Sequence, residues 1–300
     1  MATEILLETG TNELELLEFT VGGNSYGINV AKVKEILPYQ RPTAVPNAHK
    51  NIEGIFMPRD MVITAIDLAG TLNLPESDNQ KNDMFIVTRF NSLSIAFHVH
   101  QVLGIHRVSW TEIIKPDDTI NGDNSIATGI IRVDGKLIII LDFEKIIFDI
   151  SPATGIKSSD VKKAKDGKRS SSTIVMAEDS HLLATQMKDC LNKAGYTNII
   201  CKPNGLEAWE YLSKLRDTNR IDEVDLVITD LEMPQMDGHR LTKLIKSDVS
   251  LSKLPVVIFS SLVTDEMRHK GDSLGVDAQL SKPEIGQLVE TIDKLIGNIG

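Results

Sequence analysis

A chain of 300 residues, 41% hydrophobic and 25% charged, has the makeup of a soluble globular protein and is long enough for two domains of about 100 to 200 residues each. Its formal net charge of -10 would repel nucleic-acid phosphates, so protein partners are expected instead. No run approaches the ~18 apolar residues of a membrane span, the N-terminal MATEILLETG lacks a signal-peptide pattern, and Cys190 and Cys201 are too few for a disulfide framework. A cytoplasmic location is expected.

In the first half, apolar residues recur mainly with period two. Leu14–Thr20 and Ser25–Val30 around Gly22-Gly23-Asn24 predict a hairpin. Met84–Phe90 and Leu93–Val102 around Asn91-Ser92 predict a second, and Ala127–Val133 and Lys136–Leu141 around Asp134-Gly135 a third. A brief helical piece is expected over Val30–Leu37. Many short strands joined by tight turns point to a β-barrel or sandwich. Arg59-Asp60 reads as a local ion pair. His98-Val99-His100 sets two imidazoles on one face of a strand; with no third ligand evident, they read as partly buried strand histidines rather than a metal site.

Residues 151–171 are rich in Ser, Lys, Gly and Asp, the composition of a linker. Their basic cluster, Lys162, Lys163, Lys165, Lys168 and Arg169, is expected to be a solvated tether.

Beyond the linker the period changes. Strand-like runs at Thr173–Ala177, Asn198–Cys201, Asp225–Thr229, Pro255–Phe259 and Ala278–Leu280 alternate with helical spacing at Leu182–Ala194, Leu206–Leu215, Leu241–Ile245 and Ile285–Ile296. This alternation predicts a parallel sheet covered by helices on both faces, with functional groups at the carboxyl ends of the strands. Glu178, Asp179, Asp230, Ser260 and Lys282 stand at those ends. A carboxylate closing an apolar strand such as Leu226–Thr229 costs free energy unless it is partnered. Three carboxylates together repel one another unless a cation compensates, and Mg²⁺, a hard ion that takes oxygen ligands, is the economical choice. Lys282 adds a mobile positive charge and Ser260 a hydroxyl donor. The set suits transfer of a phosphoryl group onto a carboxylate.

Glu178-Asp179-Ser180, the run from Asp230 to Gly238 (DLEMPQMDG), Ser260-Ser261 and Lys282-Pro283 together resemble the response-regulator receiver domain, from about Ser172 to the C-terminus. The resemblance implies a flavodoxin-like, doubly wound, five-stranded parallel sheet and phosphorylation of Asp230 by a histidine kinase. It implies Mg²⁺ on Asp179, Asp230 and the Glu232 backbone carbonyl, with Glu178 acting through water, and Ser260 and Lys282 against the phosphoryl group. Any catalysis would be confined to the domain's own phosphoryl transfer and dephosphorylation. The chain departs from the family at Gln279, where an aromatic residue is common, and at Ser261, where Ala is common.

In the first half, Val30–Ile36, Asn51–Ile55, Pro58–Ile63 and Ile66-Asp67-Leu68 are similar to the CheW-type coupling domain of bacterial chemotaxis, over about residues 12 to 150. This likeness implies two small SH3-like β-barrels and a scaffold that joins chemoreceptors to the histidine kinase CheA, with CheW as a further candidate partner. Val33, Glu35 and Arg59 match its interaction surfaces. Where the family commonly has Arg-Gly, this chain has Arg59-Asp60. The expected domains are 12–150 for coupling, 151–171 for the linker and 172–300 for the receiver. The expected function is an adaptor at polar receptor arrays, controlled by phosphorylation of Asp230. Two alternatives are a phosphate sink for which the first domain is only a tether, and a metal-dependent phosphatase.

Overall fold

The computed structural model of the chain describes residues 13–90, 93–114, 116, 126–152, 168–261, 265–282 and 284–297. They fall into two compact units, built chiefly by residues 14–155 and 156–300.

The first unit contains strands β1 (Glu13–Val21), β2 (Asn24–Asn29), β3 (Val33–Pro38), β4 (Ile52–Phe56), β5 (Ile63–Asp67), β6 (Met84–Phe90), β7 (Leu93–Val99), β8 (Gln101–Ser109), β9 (Ala127–Val133) and β10 (Lys136–Leu141). Helices α1 (Leu68–Thr71) and α2 (Phe143–Ile150) accompany them. The strands form two five-stranded sheets, ordered β8-β1-β2-β10-β9 and β3-β6-β7-β5-β4. The turn residues explain two of the hairpins. Gly22 and Gly23 (φ 56° and 80°) and Asp134 and Gly135 (φ 49° and 81°) supply the paired left-handed residues that a two-residue hairpin loop requires. The turn between β6 and β7, at 91–92, lies outside the described residues. Phe19 and Ile28 from one sheet, Phe97 from the other and Phe143 from α2 share one core, with the Phe97 ring edge-on to Phe143 at 4.7 Å.

Val30–Leu37 is not helical. Only Val30–Lys32 makes a single 3-10 turn, capped by the Asn29 side chain, and β3 follows directly. Half-buried and exposed residues alternate along β3, the period of a strand rather than a helix.

The second unit runs α3 (Lys168–Ser171), β11 (Thr173–Ala177), α4 (His181–Ala194), β12 (Asn198–Lys202), α5 (Gly205–Asp217), β13 (Leu226–Thr229), α6 (Gly238–Ser247), β14 (Val256–Ser260), α7 (Asp265–Ser273), β15 (Ala278–Ser281) and α8 (Ile285–Gly297). Its sheet is parallel throughout, in the doubly wound order β12-β11-β13-β14-β15. Along β11, Ile174 and Met176 enter one core while Val175 and Ala177 enter another, as the alternation of a strand between two helical layers demands. Ser180, Asn204 and Asp237 cap α4, α5 and α6 by accepting backbone N–H bonds, and Gly195 closes α4 in the left-handed conformation.

Two expectations change here. Helix α7 was not anticipated, because its sequence DEMRHKGDS carries almost no apolar periodicity. Arg169 is not a solvated tether residue: it donates to both Asp293 carboxylate oxygens, at 2.8 and 2.6 Å, and to the Ala194 carbonyl at 2.7 Å. Lys162, Lys163, Lys165 and the Lys168 side chain lie outside the described residues.

His239 on α6 is buried, and its Nε2 has no partner among the described residues. Burial, and after it the Lys270 charge, push its pKa from 6.5 down to about 4. As pH falls, the unfolded chain takes up this proton before the folded one does. The contribution to stability is therefore full above pH 6.5 and is lost as pH falls toward about 4, up to about 3 kcal/mol. In His239→Gln the urea midpoint of the second unit should vary less between neutral pH and the low end of that window. An unchanged acid dependence would place its origin elsewhere.

Candidate functional site

The second sheet gathers its polar groups at one edge. Strand β11 runs into Glu178 and Asp179, β13 into Asp230 and β15 into Lys282, while β14 ends on Ser260. One carboxylate oxygen from each of Glu178, Asp179 and Asp230 lies within 4.8 Å of the others. Glu178, Asp230 and Ser260 are buried, and Asp179 and Glu232 are half-buried. Lys282 Nζ donates to Glu178 Oε2 at 2.7 Å and to Asp230 Oδ2 at 3.1 Å. With only 2% of its surface exposed, Lys282 is a fixed internal cation rather than the mobile charge expected. Pro283 lies outside the described residues.

Backbone hydrogen bonds hold this edge together. The Asp230 N–H donates to Ala177 O at 2.9 Å, and the Lys282 N–H to Ser260 O at 3.0 Å. The Leu231 N–H donates to Asp230 Oδ1 at 2.6 Å, leaving Oδ2 as the oxygen toward Lys282. Three carboxylates and one ammonium leave the cluster two negative charges in excess, a balance that a single divalent cation completes. All the acidic donors are hard oxygens, which suits Mg²⁺.

Most of DLEMPQMDG is architecture rather than chemistry. Met233 and Met236 are buried in the core. Asp237 Oδ1 accepts the Arg240 N–H at 2.6 Å to start α6, and a Cβ at Gly238 would run into the Asp230 carbonyl oxygen. These residues fix the loop so that Asp230 faces Lys282.

Gln279 on β15, at the family's aromatic position, donates from Nε2 to the Arg268 carbonyl at 2.8 Å and to Asp272 Oδ1 at 2.9 Å, both on α7. The Ser261 Oγ is buried without a partner among the described residues.

In the first unit, Arg59 pairs with Glu35 at 2.6 Å, not with Asp60. Arg59 and Asp60 both sit in left-handed backbone, φ 48° and 65°, which accounts for a glycine being an alternative at this turn. Exposed Met57, Met61 and Val62 flank the pair. Val33 packs in part against the core, and the pairing of β3 with β6 slips between Val33 and Glu35. The structure thus brings Glu35 and Arg59 together and leaves Val33 largely to packing. Two residues of interest escaped the sequence reading: Glu53 and Asp83 hold the two nitrogens of His98. They lie 45 and 15 residues from it, and no local pattern marks them.

Residues 15–151 match the CheW-like domain family, and residues 174–293 match the response regulator receiver domain family. The chain therefore belongs to the class of proteins that join a CheW-like domain to a response regulator receiver domain. Across that whole architecture it is similar to the chemotaxis protein CheV3 of Helicobacter pylori, 29% identical over 314 aligned residues that cover 99% of each chain. The chemotaxis protein CheW of Thermotoga maritima is 28% identical over 153 residues, 50% of this chain and 98% of that one. The sensor histidine kinase CheAY of Helicobacter pylori is 24% identical over 244 residues, 79% of this chain and 29% of that one.

Proposed function

We propose that the chain is a coupling adaptor of bacterial chemotaxis whose docking is set by phosphorylation of Asp230. The domains are taken as residues 12–150 for coupling, 151–171 for the linker and 172–300 for the receiver. The observation that carries this reading is the pairing, in one chain, of the Glu178–Asp179–Asp230–Lys282 cluster with a CheW-like domain, a pairing that the likeness to CheV3 covers in full, over 99% of each chain.

An oxygen of Asp230 attacks the phosphorus of a phosphohistidine on CheA. The O–P bond forms, the P–N bond breaks, and its electron pair returns to the imidazole. Lys282, already 3.1 Å from Oδ2, holds the charge that develops on the transferring oxygens, and the Ser260 hydroxyl donates to one of them. Asp179, Asp230 and the Glu232 carbonyl would hold Mg²⁺, with Glu178 acting through water; the ion supplies charge neutralisation. The domain acts only on its own phosphoryl group.

Phosphorylation exchanges one carboxylate partner of Lys282 for a phosphoryl group of about -1.5 to -2, a net gain of about -0.5 to -1 because the Asp230 carboxylate charge is consumed in the new bond. The shift passes along β15, where Gln279 grips α7. A change in docking needs a coupling of only ~1 to 3 kcal/mol.

CheA, chemoreceptors and CheW are the proposed partners, at arrays on the cytoplasmic side of the membrane. The chain should co-sediment with receptor–CheA assemblies; a chain left in the supernatant contradicts the reading. Arg59→Ala should weaken binding to CheA about tenfold or more by titration calorimetry, as the loss of an arginine anchor does at an interface. An unchanged affinity would take Arg59 out of that surface.

A further inference from the structure

We propose that His98 is an imidazolium at neutral pH, clamped between Glu53 and Asp83, and that its loss of a proton in alkali loosens β4, which leads into the Arg59 turn, and β6, which pairs with the strand carrying Glu35. The geometry is specific. His98 on β7 is 7% exposed, with Nδ1 2.5 Å from Glu53 Oε1 and Nε2 2.9 Å from Asp83 Oδ2. A neutral imidazole has one N–H and one lone pair, so it would set that lone pair against a carboxylate oxygen on one side. Only the doubly protonated ring donates to both.

The surroundings also favour the charge. Asp83 is 2% exposed and accepts the Ser77 hydroxyl on its other oxygen at 2.7 Å. Glu53 Oε2 is buried with no partner among the described residues, so the His98 charge is what compensates that acid. The Tyr39 ring stacks on the imidazole at 4.2 Å and 17°, presenting its π face to the cation. Phe85 closes the site edge-on at 5.8 Å.

Other titratable groups lie near the ring. Asp67 on β5, the register partner of His98, accepts the Gly70 N–H at 3.0 Å. The His100 ring, 6.4 Å away, accepts the Gly22 N–H on Nδ1. Arg41 acts on Tyr39, whose phenol burial and the Glu53 charge push upward, so it stays neutral.

Burial by itself lowers the His98 pKa, but the bonds and charges of Glu53 and then Asp83 outweigh it and the net shift is upward from 6.5. The stabilisation is thus complete below pH 6.5 and is lost as pH rises through the raised value.

The clamp connects to the Glu35–Arg59 pair through two elements. Glu53 is on β4, which leads through Met57 into the Arg59 turn. Asp83 immediately precedes β6, the strand that pairs with β3 at Glu35. Alkaline release of the clamp therefore slackens both strands; its effect on docking rests on the proposed function, whereas the charge on His98 does not.

Nitrogen NMR of the ring in the full-length chain tests the charge directly. Both His98 nitrogens should stay protonated through neutral pH and titrate above 6.5, and Glu53→Gln should shift that titration downward. In His98→Gln the alkaline fall in the melting temperature of the first unit should shrink. A His98 ring that titrates at or below neutral pH in the wild-type chain, or a titration that ignores Glu53→Gln, overturns the proposal whether or not His98→Gln folds. Binding to receptor–CheA assemblies across the same pH range tests the docking consequence separately.

Discussion

Asp230→Asn is expected to reduce Mg²⁺-dependent acyl-phosphate formation on the chain by on the order of a thousandfold or more, because it removes the atom that forms the new bond. The readout is transfer of labelled phosphate from phosphorylated CheA. Stability should not fall with it. The Asn carbonyl oxygen can still accept from Lys282, and one of the carboxylates crowded within 4.8 Å is gone. Loss of phosphorylation together with retained or increased stability separates a chemical role from a structural one. Persistence of the modification would move the acceptor to another residue.

Lys282→Met should lower stability, unlike Asp230→Asn. Lys282 is the buried cation shared by Glu178 and Asp230, and removing one partner of a buried ionic cluster costs about 3 to 5 kcal/mol. Urea unfolding of the second unit in EDTA should show that loss. Mg²⁺ should restore part of it, since a ligand at 100 times its dissociation constant stabilises by about 2.7 kcal/mol. A loss below about 1 kcal/mol, typical of an exposed lysine, would contradict the buried cluster.

The two histidine sites give the units opposite responses to pH. His239 in the second unit is held neutral and withdraws support in acid, with a pKa of about 4. His98 in the first is held charged and withdraws support in alkali. The same side chain acts in opposite senses because burial, and after it the Lys270 charge, prevails at His239, whereas two bonded carboxylates outweigh burial at His98.

What the sequence disclosed followed how local each determinant is. The hairpins at Gly22-Gly23 and Asp134-Gly135 rest on adjacent residues and were legible. The five strands of the second sheet were legible too: the inner β11, β13 and β14, buried almost throughout, appear as short apolar runs, and the partly exposed edge strands β12 and β15 follow from their place in the β-α alternation. Strand order then placed Glu178, Asp179, Asp230, Ser260 and Lys282 on one edge. Helix α7 stayed invisible because it has no apolar stripe, and Val30–Leu37 misled because a 3-10 turn and a strand meet within it.

Long-range partners were the harder part. That Arg59 would choose Glu35 over its neighbour Asp60 depends on β3 lying beside that turn. Arg169 looked like tether by composition, yet Asp293, 124 residues later, fixes it. Lys282 read as mobile because its burial is set by Glu178, 104 residues earlier. In each case the chemistry was visible in one residue and the decisive partner lay elsewhere in the chain.

The most direct test of the central claim is the affinity of the full-length chain for a receptor–CheA assembly, measured with and without beryllofluoride, which mimics phosphorylated Asp230, and repeated with Asp230→Asn. Phosphorylation-controlled coupling predicts an affinity that changes with the mimic in the wild-type chain and does not change in the variant. Wild-type binding that ignores the mimic would contradict it and leave the second domain as a phosphate sink held in place by the first.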